Sequence, residues 1–267
     1  VRVIAVSSGK GGVGKTNSVV NLAVAFALIG KKVLLMDADL GLGNIDILLG
    51  LAPKYNLGDL IKGDKSIEEV VVEGPAGIKI LPATSGVQEL TELATEERLA
   101  LSAHIEAMDI DIDILIIDTG AGISSNVLFF NVAAQEILIV VTPEPTSLTD
   151  AYALMKVLLM KHGERHFKLL VNTVKSKREG LEVYRKISLA AERFLNISLD
   201  YVGCVLYDEN VLKAVVQQKA VLDIFPRSRA SMCYKEIAAG LSAHPPEEGD
   251  IKGGLQLFWR QMLATNL

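Results

Sequence analysis

A run of glycines and lysines between an apolar strand and an apolar helix constrains this chain more than any other feature. Ser8-Gly9-Lys10-Gly11-Gly12-Val13-Gly14-Lys15-Thr16 follows the β-rich run 1–7 and opens a helical pattern at 16–29 that stops at Gly30. The spacing Gly9-x-x-x-x-Gly14-Lys15-Thr16 is that of a phosphate-binding loop. Glycines let the backbone curl closely round phosphates with its N–H groups inward. The helix start adds partial positive charge. Lys15 is then placed to reach β- and γ-phosphates, and the Thr16 hydroxyl to bind Mg²⁺. A plain glycine-rich turn with a surface lysine would need neither the strand before nor the helix after.

The rest of the chain continues the alternation. Short apolar runs at 1–7, 32–37, 78–81, 112–118, 136–142, 167–172 and 202–206 read as buried strands. Helical patterns lie at 16–29, 96–108, 146–162 and 181–194. Strand and helix in alternation imply parallel strands with right-handed crossovers. The expected fold is α/β: a single P-loop domain, a mostly parallel twisted sheet of about seven to eight strands with helices on both faces. With 267 residues, half of them apolar and only 5% aromatic, the core must be largely Leu, Ile, Val and Ala.

The net charge of −5 argues against direct nucleic-acid binding, which favours a positive field. A basic stretch, Lys161, His162, Arg165, Lys168, Lys175, Lys177, Arg178, Arg185 and Lys186, reads as solvated helix ends and loops. Cys204 and Cys233 form no C-x-x-C pair, so neither a zinc site nor an iron–sulfur cluster is expected. Both read as small buried apolar residues in a reducing cytosol. No apolar run approaches the ~18 residues of a membrane span. The first residues read as a strand rather than a signal peptide, and because the chain opens on Val1, something upstream is expected to be missing.

Two segments bearing acids follow the loop. Asp37-Ala38-Asp39 closes the second strand, and Asp118-Thr119-Gly120-Ala121-Gly122 closes a later one. Carboxylates at the C-terminal ends of parallel strands converge on the crevice where ligands bind. Asp37, Asp39 and Asp118 can hold Mg²⁺ directly or through water, or orient an attacking water. Each alone could be a helix cap or turn residue; their order after the loop favours function.

Lys10 is an extra lysine that the basic loop pattern does not require. With it, Ser8–Thr16 resembles the deviant Walker A loop of the MinD/ParA (SIMIBI-class) ATPases. Lys15-Thr16-Asn17, Asp37-Ala38-Asp39-Leu40-Gly41-Leu42-Gly43-Asn44-Ile45-Asp46, Ile80-Leu81-Pro82-Ala83 followed by Ser85-Gly86, and Asp118-Thr119-Gly120-Ala121-Gly122-Ile123 are most similar to the FlhG group, also called FleN or YlxH. Those are MinD-like regulators of flagellar number and placement. The resemblance covers almost the whole chain.

It implies a slow ATPase that binds ATP or ADP with Mg²⁺ and dimerises around two ATP molecules. Lys10 matches the signature lysine that crosses to the partner's nucleotide. Lys15 matches the P-loop lysine and Thr16 a Mg²⁺ ligand. Asp39 matches the residue that positions the hydrolytic water, with Lys10, Lys15 and Asp39 as the catalytic set. Asp37 and Asp118 match acids near the metal. Gly9, Gly11, Gly12, Val13, Gly14, Asn17, Asp118 and Gly122 complete the nucleotide site. Asn172 resembles an adenine-contacting Asn, and its amide could both donate to and accept from adenine; it could equally be a turn residue. Expected partners are an SRP-type flagellar GTPase, a flagellar transcription regulator or switch-complex proteins. In some relatives a short N-terminal segment stimulates that GTPase; this chain begins directly at the first strand, so that activity is not assigned.

The expected organisation is an ATPase domain at 1–241, a Pro- and acid-rich linker at 242–253 and an amphipathic helix at 254–267. Leu255, Phe258, Trp259, Met262 and Leu263 form one apolar stripe, with Arg260 beside the only Trp. Such a stripe suits an anionic membrane surface, reached through 254–264, or docking on the domain itself. Two tails in an ATP dimer would bind far more tightly than one. The expected location is cytoplasmic, peripheral on the inner face of the cell membrane with ATP. A septum-site MinD-type or partitioning ParA-type role, a metabolic P-loop ligase and a binding module without hydrolysis are the competing readings.

Overall fold

The computed structural model describes residues 1–41, 43–83, 93–106 and 111–244. Leu42, Ser85-Gly86, residues 107–108 of the helix read at 96–108, residues 245–253 of the linker and the 254–267 tail lie outside them. Eight described strands form one sheet: β1 (Arg2–Ser8), β2 (Val33–Ala38), β3 (Val72–Glu73), β4 (Lys79–Leu81), β5 (Ile114–Ala121), β6 (Glu136–Val141), β7 (Phe167–Val174) and β8 (Leu199–Leu206). Their spatial order is β3-β4-β2-β5-β1-β6-β7-β8. All neighbours are parallel except β3 and β4. The expected fold class is therefore borne out.

The described helices are α1 (Lys15–Leu28), α2 (Ile45–Leu49), α3 (Leu57–Ile61), α4 (Ile67–Val70), α5 (Thr95–Glu106), α6 (Ser125–Ala133), α7 (Pro145–His162), α8 (Lys177–Leu195), α9 (Glu209–Val216), α10 (Val221–Ile224) and α11 (Arg229–Ala243). Alternate strand residues feed opposite faces. Ile4 and Val6 of β1 pack with α1, α10 and α11, whereas Val3 and Ala5 pack with α3 and α6. A third apolar cluster joins β6 and β7 to α7 and α8. α1 is buried on nearly every side, because α11 covers the flank that the sheet does not. No described helix is long and apolar enough to cross a membrane.

The chain leaves β1 toward β2 on one side and returns through β5 to β6 on the other, so β1 ends at the point where the winding reverses. Ligands in open α/β sheets bind at that crevice. Here it receives the glycine-rich loop.

Most boundaries shift by a residue or more from the sequence reading, and three of the shifts are informative. α8 starts at Lys177, not 181, because Ser176 caps it by accepting from Glu179 N. Gly180 lies inside that helix: a Cβ there would come within 2.7 Å of the Cys204 Cβ, so the glycine is needed for packing on β8. β8 begins at Leu199, with a bulge near Gly203 (φ 135°). α11 runs through Ala243, two residues into the segment read as a linker.

Within the basic stretch, Lys168 pairs with Glu136 and Asp200, Lys177 with Glu236, and Arg178 with Glu182. Cys204 and Cys233 are both buried.

Candidate nucleotide site

The loop between β1 and α1 is shaped by its glycines. Gly12 and Gly14 both have φ 80°, a left-handed conformation that side chains disfavour. Gly14 is the N-cap of α1, and its carbonyl accepts from Ser18 N at 2.9 Å. Side chains at Gly11 or Gly12 would meet no described atom within 4 Å, which leaves that backbone face open to a ligand. Gly9 presses on α7: a Cβ there would lie 2.1 Å from the Asp150 carbonyl carbon. Gly122 (φ 89°) donates its N–H to the Ser8 carbonyl at 2.9 Å, tying the end of β5 to the loop's entry.

The two lysines of the loop take different directions. Lys15 points inward, with Nζ 2.5 Å from Asp118 Oδ1 and both side chains buried. Lys10 lies at the exposed edge, with Nζ 2.6 Å from Glu144 Oε2 and 3.0 Å from Thr146 Oγ1 at the start of α7.

Asp37 and Asp118 are register partners on adjacent strands β2 and β5. Asp37 accepts from Asp39 N at 3.2 Å, Asn44 N at 2.9 Å and Ile45 N at 3.1 Å. Burial, reinforced by the Asp118 charge, nevertheless pushes its carboxyl up to about 7. Burial also raises the Asp118 carboxyl, against the Lys15 charge and hydrogen bonds from Lys15 and Thr16. Half-buried Asp39 is near enough for its charge to add to that rise.

Two buried acids thus stand on adjacent strands with one buried cation, which pairs with Asp118. That excess of negative charge, beside the Thr16 hydroxyl, is the donor chemistry of a divalent cation site. No group of three or more His, Cys, Asp or Glu side chains forms a metal cage among the described residues. The arrangement suits an ion such as Mg²⁺ that keeps waters and shares phosphate oxygens.

Beyond the loop, a cleft of about 190 Å³ is lined by Asn17, Asn172, Thr173, Tyr207, Asp208 and Tyr234, among others. Asn172 Nδ2 donates to the Val13 carbonyl at 2.8 Å, so this strand-end amide clips the loop as well as facing the cleft. Sequence reading missed Thr173, Tyr207 and Asp208. The available signal was their place at the C-terminal end of a strand: Thr173 in the last residues of β7, Tyr207 and Asp208 just after β8. Asp208 caps α9 through Asn210 N and accepts from Ala230 N of α11, which fixes the cleft wall. The site thus gathers Gly9–Asn17, Asp37, Asp39, Asp118, Gly122 and Asn172 at one end of the sheet.

A parallel sheet with a glycine-rich loop at its winding reversal and paired acids beside the loop lysine defines a P-loop nucleotide-binding protein. The family model described as an AAA domain matches residues 1–168. The antiactivator FleN of Pseudomonas aeruginosa is 45% identical over 98% of this chain and 94% of its own length. The flagellum site-determining protein YlxH of Helicobacter pylori is 33% identical over 98% and 90%. In the MinC:MinD cell division protein complex of Aquifex aeolicus, a chain matches with TM-score 0.73 and 28% identity, over 92% of this chain and 98% of that one. The chain belongs to the MinD/ParA family of P-loop ATPases, in its FlhG-like branch with FleN and YlxH.

Proposed function

We propose that this chain is a Mg²⁺-dependent ATPase switch that forms an ATP-bound homodimer, attaches to the inner face of the cell membrane through residues 254–264 and regulates flagellar number and placement. The observation that carries this reading is the opposed placement of the two loop lysines: Lys15 buried on Asp118, Lys10 outward on Glu144 and Thr146. A lysine serving only its own phosphates has no reason to face outward. An outward Lys10 can enter the nucleotide site of a second copy.

In the ATP-bound state the loop's backbone N–H groups and Lys15 hold the phosphates. Thr16, with Asp37, Asp39 and Asp118 directly or through water, would hold Mg²⁺. The ion supplies charge neutralisation at the β- and γ-phosphates. Lys15 must then leave Asp118 for the phosphates, which frees that carboxylate for the ion's shell. Asp39 orients the attacking water. Asn172 and the adjacent cleft take the base. Hydrolysis yields ADP and phosphate, and slow turnover times the switch.

The flagellar assignment is supported by FleN and YlxH, which span nearly the whole chain. The word antiactivator in the FleN name fits a transcription activator as partner. An SRP-type flagellar GTPase and switch-complex proteins are further candidates.

The test is molecular mass in solution with ADP and with a nonhydrolysable ATP analogue, each with and without anionic vesicles, alongside phosphate release. Dimers with the analogue, pelleting with vesicles, support the reading. A monomer in all four conditions overturns it. Salt-sensitive DNA binding would instead favour a partitioning role.

A further inference from the structure

Lys10 is not idle at the edge of the loop. Its ammonium directs two hydrogen bonds at the first residues of α7, one to the Glu144 carboxylate and one to the Thr146 hydroxyl. The contact joins residues 134 positions apart, so the fold and not local sequence brings them together. Three features hold it in place. Gly9, immediately before Lys10, touches the α7 backbone at Asp150, which fixes the loop's distance from the helix. Pro145 occupies the first position of α7 and sets the direction of its first turn. Glu144 is the N-cap residue, but its side chain makes no cap hydrogen bond, so the carboxylate turns outward to the lysine.

We propose that Glu144 and Thr146 form a latch that parks Lys10 on its own subunit and thereby restrains dimerisation until ATP is bound. The inference rests on the dimer reading above and adds its regulation. A lysine that crosses to a second copy must first give up both bonds. Phosphates of the partner's nucleotide offer more negative charge than one carboxylate, and a γ-phosphate adds to it, so ATP draws the lysine off better than ADP. The latch is partly exposed, with the Lys10 and Glu144 side chains 36% and 62% accessible. It is therefore weak enough to open: an exposed pair of this kind shifts an equilibrium by up to about fivefold. Two latches open per dimer, so the effect on the dimer's dissociation constant is the square, up to about 25-fold. Glu144 is a positioning residue here, acting through Lys10.

Two measurements on the full chain test this. In nucleotide-free protein, trace acetylation with acetic anhydride reads the reactivity of each lysine. Glu144→Gln is expected to speed Lys10 labelling severalfold, Thr146→Val to speed it less, and Glu182→Gln, which removes an unrelated partner of Arg178, to leave it unchanged. With a nonhydrolysable ATP analogue, Glu144→Gln is expected to tighten the dimer by up to about 25-fold, with Lys10→Ala remaining monomeric. Unchanged Lys10 labelling in Glu144→Gln overturns the latch, whether or not dimers form. Faster labelling with a weaker dimer also overturns it, because Glu144 would then belong to the dimer contact. A wild-type chain that stays monomeric with the analogue overturns the switch reading instead, and labelling still decides whether Glu144 holds Lys10.

Discussion

The Lys15 ammonium lies 2.5 Å from Asp118 Oδ1, and both side chains are shut away from solvent. The loop's phosphate lysine thus has a substitute anion when no phosphate is present. A buried pair gains little over apolar packing, but breaking it by removing one partner is costly.

Lys15→Ala should therefore lose ATP-analogue binding and also destabilise the nucleotide-free protein by about 3–5 kcal/mol at alkaline pH. The deficit should shrink in acid. Burial already raises the Asp118 carboxyl, and without Lys15 it rises further. A raised carboxyl contributes its full stability below the unfolded value near 4 and loses it as pH climbs through the folded value. Urea midpoints of wild type and variant at pH 5 and pH 8 check this. An equal deficit at both values would show that Asp118 is not left charged.

Asp37 makes a separate pH prediction for the nucleotide-free chain. Its carboxyl stands at about 7 in the fold against 3.8 as the ordinary value. The native state therefore holds a proton that the unfolded chain has lost across that window. Stability from this group is complete below about pH 4 and disappears as pH rises through about 7. Urea midpoints from pH 5 to pH 8.5 should fall, and Asp37→Asn should flatten the fall. Mg²⁺ with ADP should flatten it too, because a cation at the site favours the charged carboxylate.

The fold was largely legible because the chain's periods are unambiguous. Runs such as 33–38 and 136–141 are buried on both faces, and β-branched residues in short blocks between helical stretches admit few other folds. Local chemistry hid the rest. Gly180 reads as a break but is a packing glycine within α8, visible only once Cys204 is beside it. β3 is two residues long and gives no period. At the site, the loop and the acids announce themselves by spacing. The Lys10–Glu144 contact and the Asn172–Val13 clip join residues 134 and 159 positions apart, and no local pattern encodes either.

Asp39→Ala should separate binding from hydrolysis. Asp39 is half-buried, donates its backbone N–H to Asp37 and does not hold Lys15. Losing its carboxylate should leave the phosphate cradle intact and remove the group that orients water. Hydrolysis should fall at least ~10²-fold, with ATP-analogue affinity within a few-fold of wild type and the ATP dimer accumulating. Phosphate release and mass in solution read both effects. Wild-type turnover in this variant would refute the assigned role.

Gly14 and Asn172 should be coupled. A Cβ at Gly14 would lie 2.4 Å from Asn172 Nδ2, and the Gly14 φ of 80° strains any other residue. Gly14→Ala thus carries two penalties: left-handed strain of about 1–2 kcal/mol, and a clash that displaces the amide from the Val13 carbonyl. Asn172→Ala carries a different one. It leaves the Val13 carbonyl without its donor, worth about 1–3 kcal/mol if no water replaces it. In the double variant the clash has no partner, so only strain and the lost bond remain. The two changes together should cost about 1 kcal/mol less than their sum, read as urea-unfolding free energies. Strict additivity would mean that the loop avoids Asn172 by moving elsewhere. Nucleotide affinities add a second readout from Asn172→Ala alone. If the amide only clips the loop, ATP and GTP analogues weaken together. If it also reads the base, ATP weakens more and the preference between them narrows.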